Sequence, residues 1–429
     1  SCVYEDTQPG SPPPPPTPTP PPISNSVFVP GRLNVVDSAS GLLLSQGLSV
    51  RIIAEANKPV ALTNNRFSAA KFLADPDGAA TFSKPGGGWY YVINSEQWNR
   101  NSGVTVLVFN ADGEIEDYQS RITGTYRNCS GGKTPWDTWI SCEEYGSGQC
   151  IQIDPSGLRS PQVTNIGEAS GGNFESFAYD DRNSFNPCFF VTEDHPRGSL
   201  RRFCPNVPNG ELNWEILHQT DYTRTYLKLI PVGSNHGTYE WTSSKVEGEN
   251  TAQAYFPHSE GVDRLDEFLF IVSKRKRRMI IVNIDNGTYR WESINNHLFS
   301  GDQGSFEAEP DQVMHLLNAD NLYFTEDGGK TPGIYVRDTS GYYNTLVQAN
   351  HGIYKWDETA SLAFSPDGNI MYFSIQHKGR VFELTRDDGL SFHHIPLGRH
   401  RGLRRSLEKK KQSGNVLTLM LKFHTLSES

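Results

Sequence analysis

Cys129 and the adjacent acids Glu143 and Glu144 are the residue types in this sequence best placed to do chemistry together. They stand towards the two ends of one stretch, Tyr126-Arg-Asn-Cys-Ser-Gly-Gly-Lys-Thr-Pro-Trp-Asp-Thr-Trp-Ile-Ser-Cys-Glu-Glu144. A Gly-rich loop at 129–135 feeds a strand at 138–142 that ends on two carboxylates. Gly131, Gly132 and Pro135 favour a chain reversal, which lets the thiol and the carboxylates face one site. A thiolate suits iron, zinc or copper(I), and carboxylates suit calcium and also iron. The stretch therefore reads as part of a metal site. It reads equally as an ordinary loop carrying a disulfide cysteine.

The elements around it are strands in pairs. Residues 89–94 pair with 104–109, 138–142 with 150–154, 188–192 with 200–204, 268–272 with 279–283, 322–325 with 333–337, and 370–374 with 380–384. Each run is β-branched and aromatic, and a polar link joins the two. A third element precedes most pairs: an acid, a short apolar strand and an Asp/Gly turn, at 175–181, 260–266, 311–320 and 358–368. Residues 65–78 read as a first copy without the leading acid. A strand-built unit recurring about every 40–60 residues predicts a propeller. The expected fold is all-β, a six-bladed β-propeller over 28–395, with a Pro-rich tether at 1–27 and a long insertion at about 206–253. A basic tail with a candidate closing strand at 416–423 follows over 396–429.

That architecture turns single motifs into a ring. The first strand of each blade lines the channel, and consecutive strands run antiparallel. The leading acids Glu175, Glu260, Asp311 and Glu358 therefore share one channel mouth with the ends of the second strands. Those ends carry Glu96, Glu143 with Glu144, Glu193 with Asp194, Lys274, Glu326 with Asp327, and Gln376 with His377. So many carboxylates around one axis repel unless cations neutralise them. The ring predicts a multinuclear metal site, with oxygen ligands and one thiolate. The bland alternative for each acid is turn capping, or pairing with Arg66, Arg127 or Lys274.

Composition sets the remaining bounds. The chain has 429 residues and a net charge of -10, which argues against general nucleic-acid binding. It has no apolar run of about 18 residues, so no transmembrane segment is expected. Its six cysteines include two close pairs, Cys142 with Cys150 and Cys188 with Cys204, that suit disulfides and an extracytoplasmic compartment, whether secreted, periplasmic or cell-surface. There is no His-Glu-x-x-His, Gly-x-Ser-x-Gly or P-loop motif.

The run from Asn128 to Glu144 resembles the signature of the PhoX alkaline phosphatases. Val191-Thr-Glu-Asp194, Phe364-Ser-Pro-Asp-Gly368 and Ser374-Ile-Gln-His377 are similar to that family in the same order. The resemblance implies a six-bladed propeller with an iron and calcium cluster that hydrolyses phosphomonoesters outside the cytoplasm. It implies Cys129 as the iron-binding thiolate and Glu143, Glu144, Glu175, Glu260, Asp311, Glu326 and Glu358 as metal-binding acids. Two departures stand out: Phe174-Glu175 replaces the usual His-Glu, and Gln376-His-Lys-Gly379 replaces Gln-His-Pro-Gly. Lys274, His377 and Lys378 are the cationic or donor groups expected to meet phosphate.

The expected function is a metal-dependent hydrolase, a secreted phosphatase acting on a small phosphoester. The alternative is a non-catalytic extracellular propeller with structural calcium, whose Pro-rich tether engages assembly partners. A calcium-dependent lactonase-like propeller is a third reading, and it leaves Cys129 unexplained.

Overall fold

The computed structural model describes residues 27–294, 306–349 and 352–396. The tether and the basic tail, Val27 and Pro396 apart, lie outside the described residues, as do Cys2 and the candidate closing strand at 416–423.

Each of the six expected strand pairs is an antiparallel hairpin, and each forms the middle of one blade. They are Trp89–Ser95 with Ser102–Phe109, Trp139–Glu143 with Cys150–Ile153, and Cys188–Glu193 with Arg201–Pro205. The others are Phe268–Ser273 with Arg278–Asn283, Leu322–Asp327 with Gly333–Arg337, and Ile370–Ile375 with Arg380–Arg386. These runs are apolar on both faces because each blade is packed between two others. Ser102–Phe109, for example, is buried at every position. Aromatic pairs stitch one blade to the next: Tyr91 stacks on Tyr372 with centroids 4.6 Å apart, and Tyr323 meets Phe364 edge-on at 4.7 Å.

An inner strand precedes each hairpin: Pro76–Ser83, Asn128–Lys133, Phe174–Asp180, Ser259–Leu265, Glu309–His315 and Thr359–Phe364. These define blades one to six in chain order. Neighbouring inner strands pack together around the axis from blade six through blades one to five, and blade five meets the inner strand of blade six through Leu322–Asp327. In blade six the outer strand is Leu48–Glu55, which pairs with Arg380–Arg386 and so ties the beginning of the described chain to its end. This closure covers the edge of Arg380–Arg386 and makes Leu48–Glu55 the outer edge of the blade.

Two expectations need adjusting. The first inner strand is not the expected copy at 65–78. Arg66–Lys71 pairs instead with Pro59–Leu62 in a separate hairpin. Asp75-Pro-Asp-Gly78 reads as a turn in sequence, yet Pro76 opens the inner strand of blade one. The stretch at 206–253 is partly blade: Tyr222–Pro231 is the fourth strand of blade three, and His236–Thr242 hairpins back onto it. His236–Thr242 then pairs with Thr288–Ser293 of blade four, joining the two blades at their outer edges in one sheet. The helix Lys245–Tyr255, capped at its start by Ser244, leads back to the axis.

Candidate metal centre

The inner strands share one irregularity. In blades one to five the pairing with the second strand slips by one residue at the same place: Pro76/Ala79, Asn128/Gly131, Phe174/Phe177, Ser259/Val262 and Pro310/Val313. A β-bulge re-aims the side chain that it frees. The first freed residue is Asp77, Cys129, Glu175, Glu260 and Asp311 in turn, so the bulges create an inner ring of four carboxylates and one thiol. In blade six the slip falls between Ala360 and Ala363, one residue later, and Ser361 there has a positive φ of 55°. Close approach explains the small residue after two of the acids. A Cβ on Gly78 would lie 2.4 Å from Ser130 Cα, and one on Gly261 would lie 2.4 Å from Val313 N.

The second strands add an outer ring through Glu96, Glu144, Asp194, Lys274, Asp327 and Gln376. The residue before each is turned away from the axis. Glu143 accepts from the backbone N–H of Tyr126 and of Gln149, each at 3.1 Å. Glu326 accepts from Ala308 N at 2.8 Å, from Gly333 N at 3.0 Å and from the Tyr335 hydroxyl. Neighbours on a strand point to opposite faces, so in the Glu143–Glu144 and Glu326–Asp327 pairs one carboxylate serves the axis and the other ties down backbone, while Glu193 turns to the Arg201 guanidinium 3.5 Å away.

Three sets of ligand atoms lie within 4.8 Å of one another: Asp77, Glu96 and Cys129; Cys129, Glu144 and Glu175; Glu175, Glu260 and Asp311. Shared members make them one continuous cluster. Cys129 Sγ is 3.1 Å from Glu175 Oε1 and 3.3 Å from Asp77 Oδ2. The structure thus brings together five of the eight expected metal ligands, Cys129, Glu144, Glu175, Glu260 and Asp311. It leaves Glu143 and Glu326 outside with their backbone partners. Glu358 pairs through its backbone with Asp327, and burial together with the neighbouring Asp327, Asp77 and Asp311 pushes its carboxyl well above the usual range, so it borders the cluster without belonging to the three ligand sets. Its backbone carbonyl takes the N–H of Gln376 as Asp75 takes that of Glu96 and Arg127 that of Glu144. Asp77 was missed because the leading acid hid inside an apparent turn. The signal was present, since Asp77-Gly-Ala has the form of Glu260-Gly-Val.

Among the expected phosphate-contacting groups, Lys274 is the one at the cluster. Its Nζ is 2.7 Å from Asp327 Oδ2, 3.2 Å from Glu260 Oε1 and 3.5 Å from Asp194 Oδ2. Burial alone would lower Lys274, but Glu260, Asp327 and Asp194 overcome it and hold the ammonium protonated far above its usual range. Arg127 plays the same part on the other side, bonded to both Glu96 and Glu144. His377 is exposed and places Nδ1 3.4 Å from Asp75. The Lys378 side chain is exposed, and its backbone N–H donates to Asp357.

These donors do not satisfy the ring. Gln376 Nε2 donates to Asp77 at 2.7 Å, and Gln312 Nε2 donates to Glu175 Oε1 at 2.9 Å. Glu175 Oε2 and Glu260 Oε1 are buried without a hydrogen bond, although Lys274 lies close to the latter. Burial and neighbouring carboxylates push Asp77 and Glu175 well above the carboxylate range. Burial, only partly offset by Lys274, does the same to Glu260. Glu144 rises to about 9, through burial and then Glu96, and Asp311 rises to about 7, through burial held back by Lys274. Burial also raises the Cys129 thiol. The protein alone can keep this ring only by protonating it, whereas cations would let it ionise. The orphaned oxygens and the oxygen-rich donor set with one sulfur fit hard cations beside a metal that accepts thiolate.

Cys188 and Cys204 form a disulfide, while Cys142 and Cys150 are buried free thiols with sulfurs 3.9 Å apart. Among the described residues no helix is long and apolar enough to cross a membrane.

The fold and site define a class: a six-bladed propeller whose bulged inner strands gather carboxylates and a thiol at one channel mouth. Residues 89–198, which run from blade one into blade three, match the family described as alkaline phosphatase PhoX. The structure of Pseudomonas fluorescens PhoX, solved in complex with vanadate, a transition state analogue, superposes with a TM-score of 0.64 at 15% identity. That match covers 86% of this chain and all (100%) of the other. The family match spans about a quarter of the chain, and the structural likeness extends the propeller fold over most of the rest. The PQQ domain of pyranose dehydrogenase from Coprinopsis cinerea is a more distant likeness, with a TM-score of 0.48 at 11% identity over 80% of this chain and 97% of that one. No curated protein sequence matches the chain significantly.

Proposed function

We propose that the protein is a metal-dependent phosphomonoesterase whose site is the carboxylate–thiol ring. The observation that carries this reading is the buried, orphaned carboxylate oxygen of Glu175, a residue shared by two of the three overlapping ligand sets. The family match and the vanadate bound to the Pseudomonas fluorescens protein support it, vanadate being an analogue of phosphoryl transfer. Asp77, Glu96, Cys129, Glu144, Glu175, Glu260 and Asp311 would hold the cations, with iron at Cys129 and calcium among the carboxylates. Bound cations would supply Lewis acidity and the positive charge that a phosphate monoester needs at its oxygens.

The chain's own residues do the rest. Lys274 brings a permanent positive charge to the Glu260 side, where it would donate to a phosphate oxygen as charge develops. Arg127 fixes Glu96 and Glu144 relative to each other, so the ligand set is positioned before cations or ester arrive. His377 stands on the solvent side of the cluster, where the ester would enter. Hydrolysis breaks the P–O bond to the leaving group, and the oxygen of water replaces it on phosphorus. The disulfide supports a location outside the cytoplasm.

Elemental analysis of the purified protein, paired with 4-nitrophenyl phosphate hydrolysis before and after chelator, tests the proposal. Iron and calcium with chelator-sensitive turnover is the expected result. Metal-loaded protein that leaves the ester intact would overturn it.

A further inference from the structure

A cavity of about 340 Å³ opens beside the cluster, sharing Glu96, Arg127 and Gln376 with it. Its outer wall is Trp98, whose surface is 60% exposed. A large apolar ring so exposed at a polar channel mouth has no role in the core. One indole face is taken: the Arg127 guanidinium lies over it at 4.6 Å.

The loop carrying Trp98 is held, not loose. Ser102 Oγ accepts from Gln97 N at 2.7 Å and donates to Gln97 O at 2.6 Å. Gln97 O also receives the N–H of Arg127, and Asn101 N donates to Trp98 O. Asn99 and Arg100 both sit at φ 61°, a left-handed conformation that side chains other than Gly adopt at a cost. Strain maintained by such a hydrogen-bond frame fits a loop built to present its side chains. The cation–π contact orients the ring further. Asn99 and Asn101 supply amide edges, and the charged lining groups are already paired, Glu96 with Arg127 and Asp75 with His377, which suits an uncharged occupant.

We propose that this cavity is the leaving-group subsite and takes the flat, uncharged aromatic part of a phosphomonoester, stacked on Trp98. The inference rests on the phosphatase reading. It assigns a substrate class to that reading: esters whose alcohol is a phenol or carries a nucleobase, ahead of esters of small aliphatic alcohols. A ring stacked here would leave its phosphate on the cluster side, next to Glu96 and Arg127.

The test is steady-state hydrolysis by the metal-loaded full chain of phenyl phosphate, adenosine 5′-monophosphate and glycerol 2-phosphate, for wild type, Trp98→Ala and Trp98→Phe. Thermal melts check that the variants fold. Stacking predicts that Trp98→Ala lowers the ratio of kcat/KM for phenyl phosphate over glycerol 2-phosphate by about 5- to 20-fold, mainly through KM. Trp98→Phe should restore most of the ratio, which a merely structural role would not require. The adenosine arm separates the two aromatic sources, since a drop shared with phenyl phosphate assigns ring stacking to both and a drop for one alone assigns it to that one. A ratio unchanged in Trp98→Ala, or an equal loss on all three esters, overturns the subsite while the phosphatase reading stands. No hydrolysis of any ester by metal-loaded wild type overturns both.

Discussion

Blades one to three and blades four and five carry the same bulged inner strands but solve the charge problem differently. In blades four and five a buried lysine is supplied by the chain: Lys274 stands between Glu260 and Asp327 and also reaches the outer acid of blade three, Asp194. In blades one to three Arg127 reaches only the outer acids, Glu96 and Glu144. The inner members there, Asp77, Cys129 and Glu175, have amide donors and one another. Repetition of a backbone feature therefore fixes where the side chains point. The amino acid at the outer position then decides whether the protein neutralises them or leaves that to a ligand.

Glu175→Gln is the strongest way to break the contrast, because Glu175 belongs to two of the three ligand sets. Loss of bound metal and a fall in kcat of about 100-fold or more are expected, read by elemental analysis and ester hydrolysis. Lys274→Met strikes the other side. It strands buried carboxylates without their cation and should destabilise the fold by about 3–5 kcal/mol, measured by urea unfolding of the metal-loaded protein. An added calcium ion that restores the loss would show that an external cation can replace the lysine.

Smaller effects sharpen the picture. Gly261→Ala forces a methyl onto the Val313 backbone, so a loss of about 1–3 kcal/mol is expected, read from the same urea curves. Glu143→Gln should cost about 1 kcal/mol through its backbone hydrogen bonds and leave metal content near wild type, whereas Glu144→Gln should lower metal content. Equal metal loss in both variants would put Glu143 back among the ligands.

The smallest effect lies away from the cluster. Asp263 raises the pKa of His315, whose Nδ1 is 2.7 Å from its Oδ2. A raised histidine stabilises below its unfolded value of about 6.5, and that stability is lost as pH rises through the folded value. His315→Gln should therefore cost up to about 1 kcal/mol near pH 5.5 and little near pH 9.

The six hairpins were legible because a strand buried on both faces must be continuously apolar, and the acids at its ends break that run abruptly. Glu175, Glu260 and Asp311 were readable as leading acids for the same reason. Asp77 was not, because Pro-Asp-Gly satisfies turn chemistry and strand opening alike, and only pairing with Ser95 at Pro76 decides between them. Nor could sequence separate Glu143 from Glu144, or Glu326 from Asp327. Adjacent carboxylates are chemically alike, and which one faces the axis depends on ladder register.

The sequence by itself determined the repeat, the all-β class, the thiol and most of the acids. These follow from residue type and local period. The tertiary structure alone decided the bulges, the closure through Leu48–Glu55, and the division of acids between cluster and backbone. Those depend on contacts between residues far apart in the chain, whose geometry no local pattern encodes.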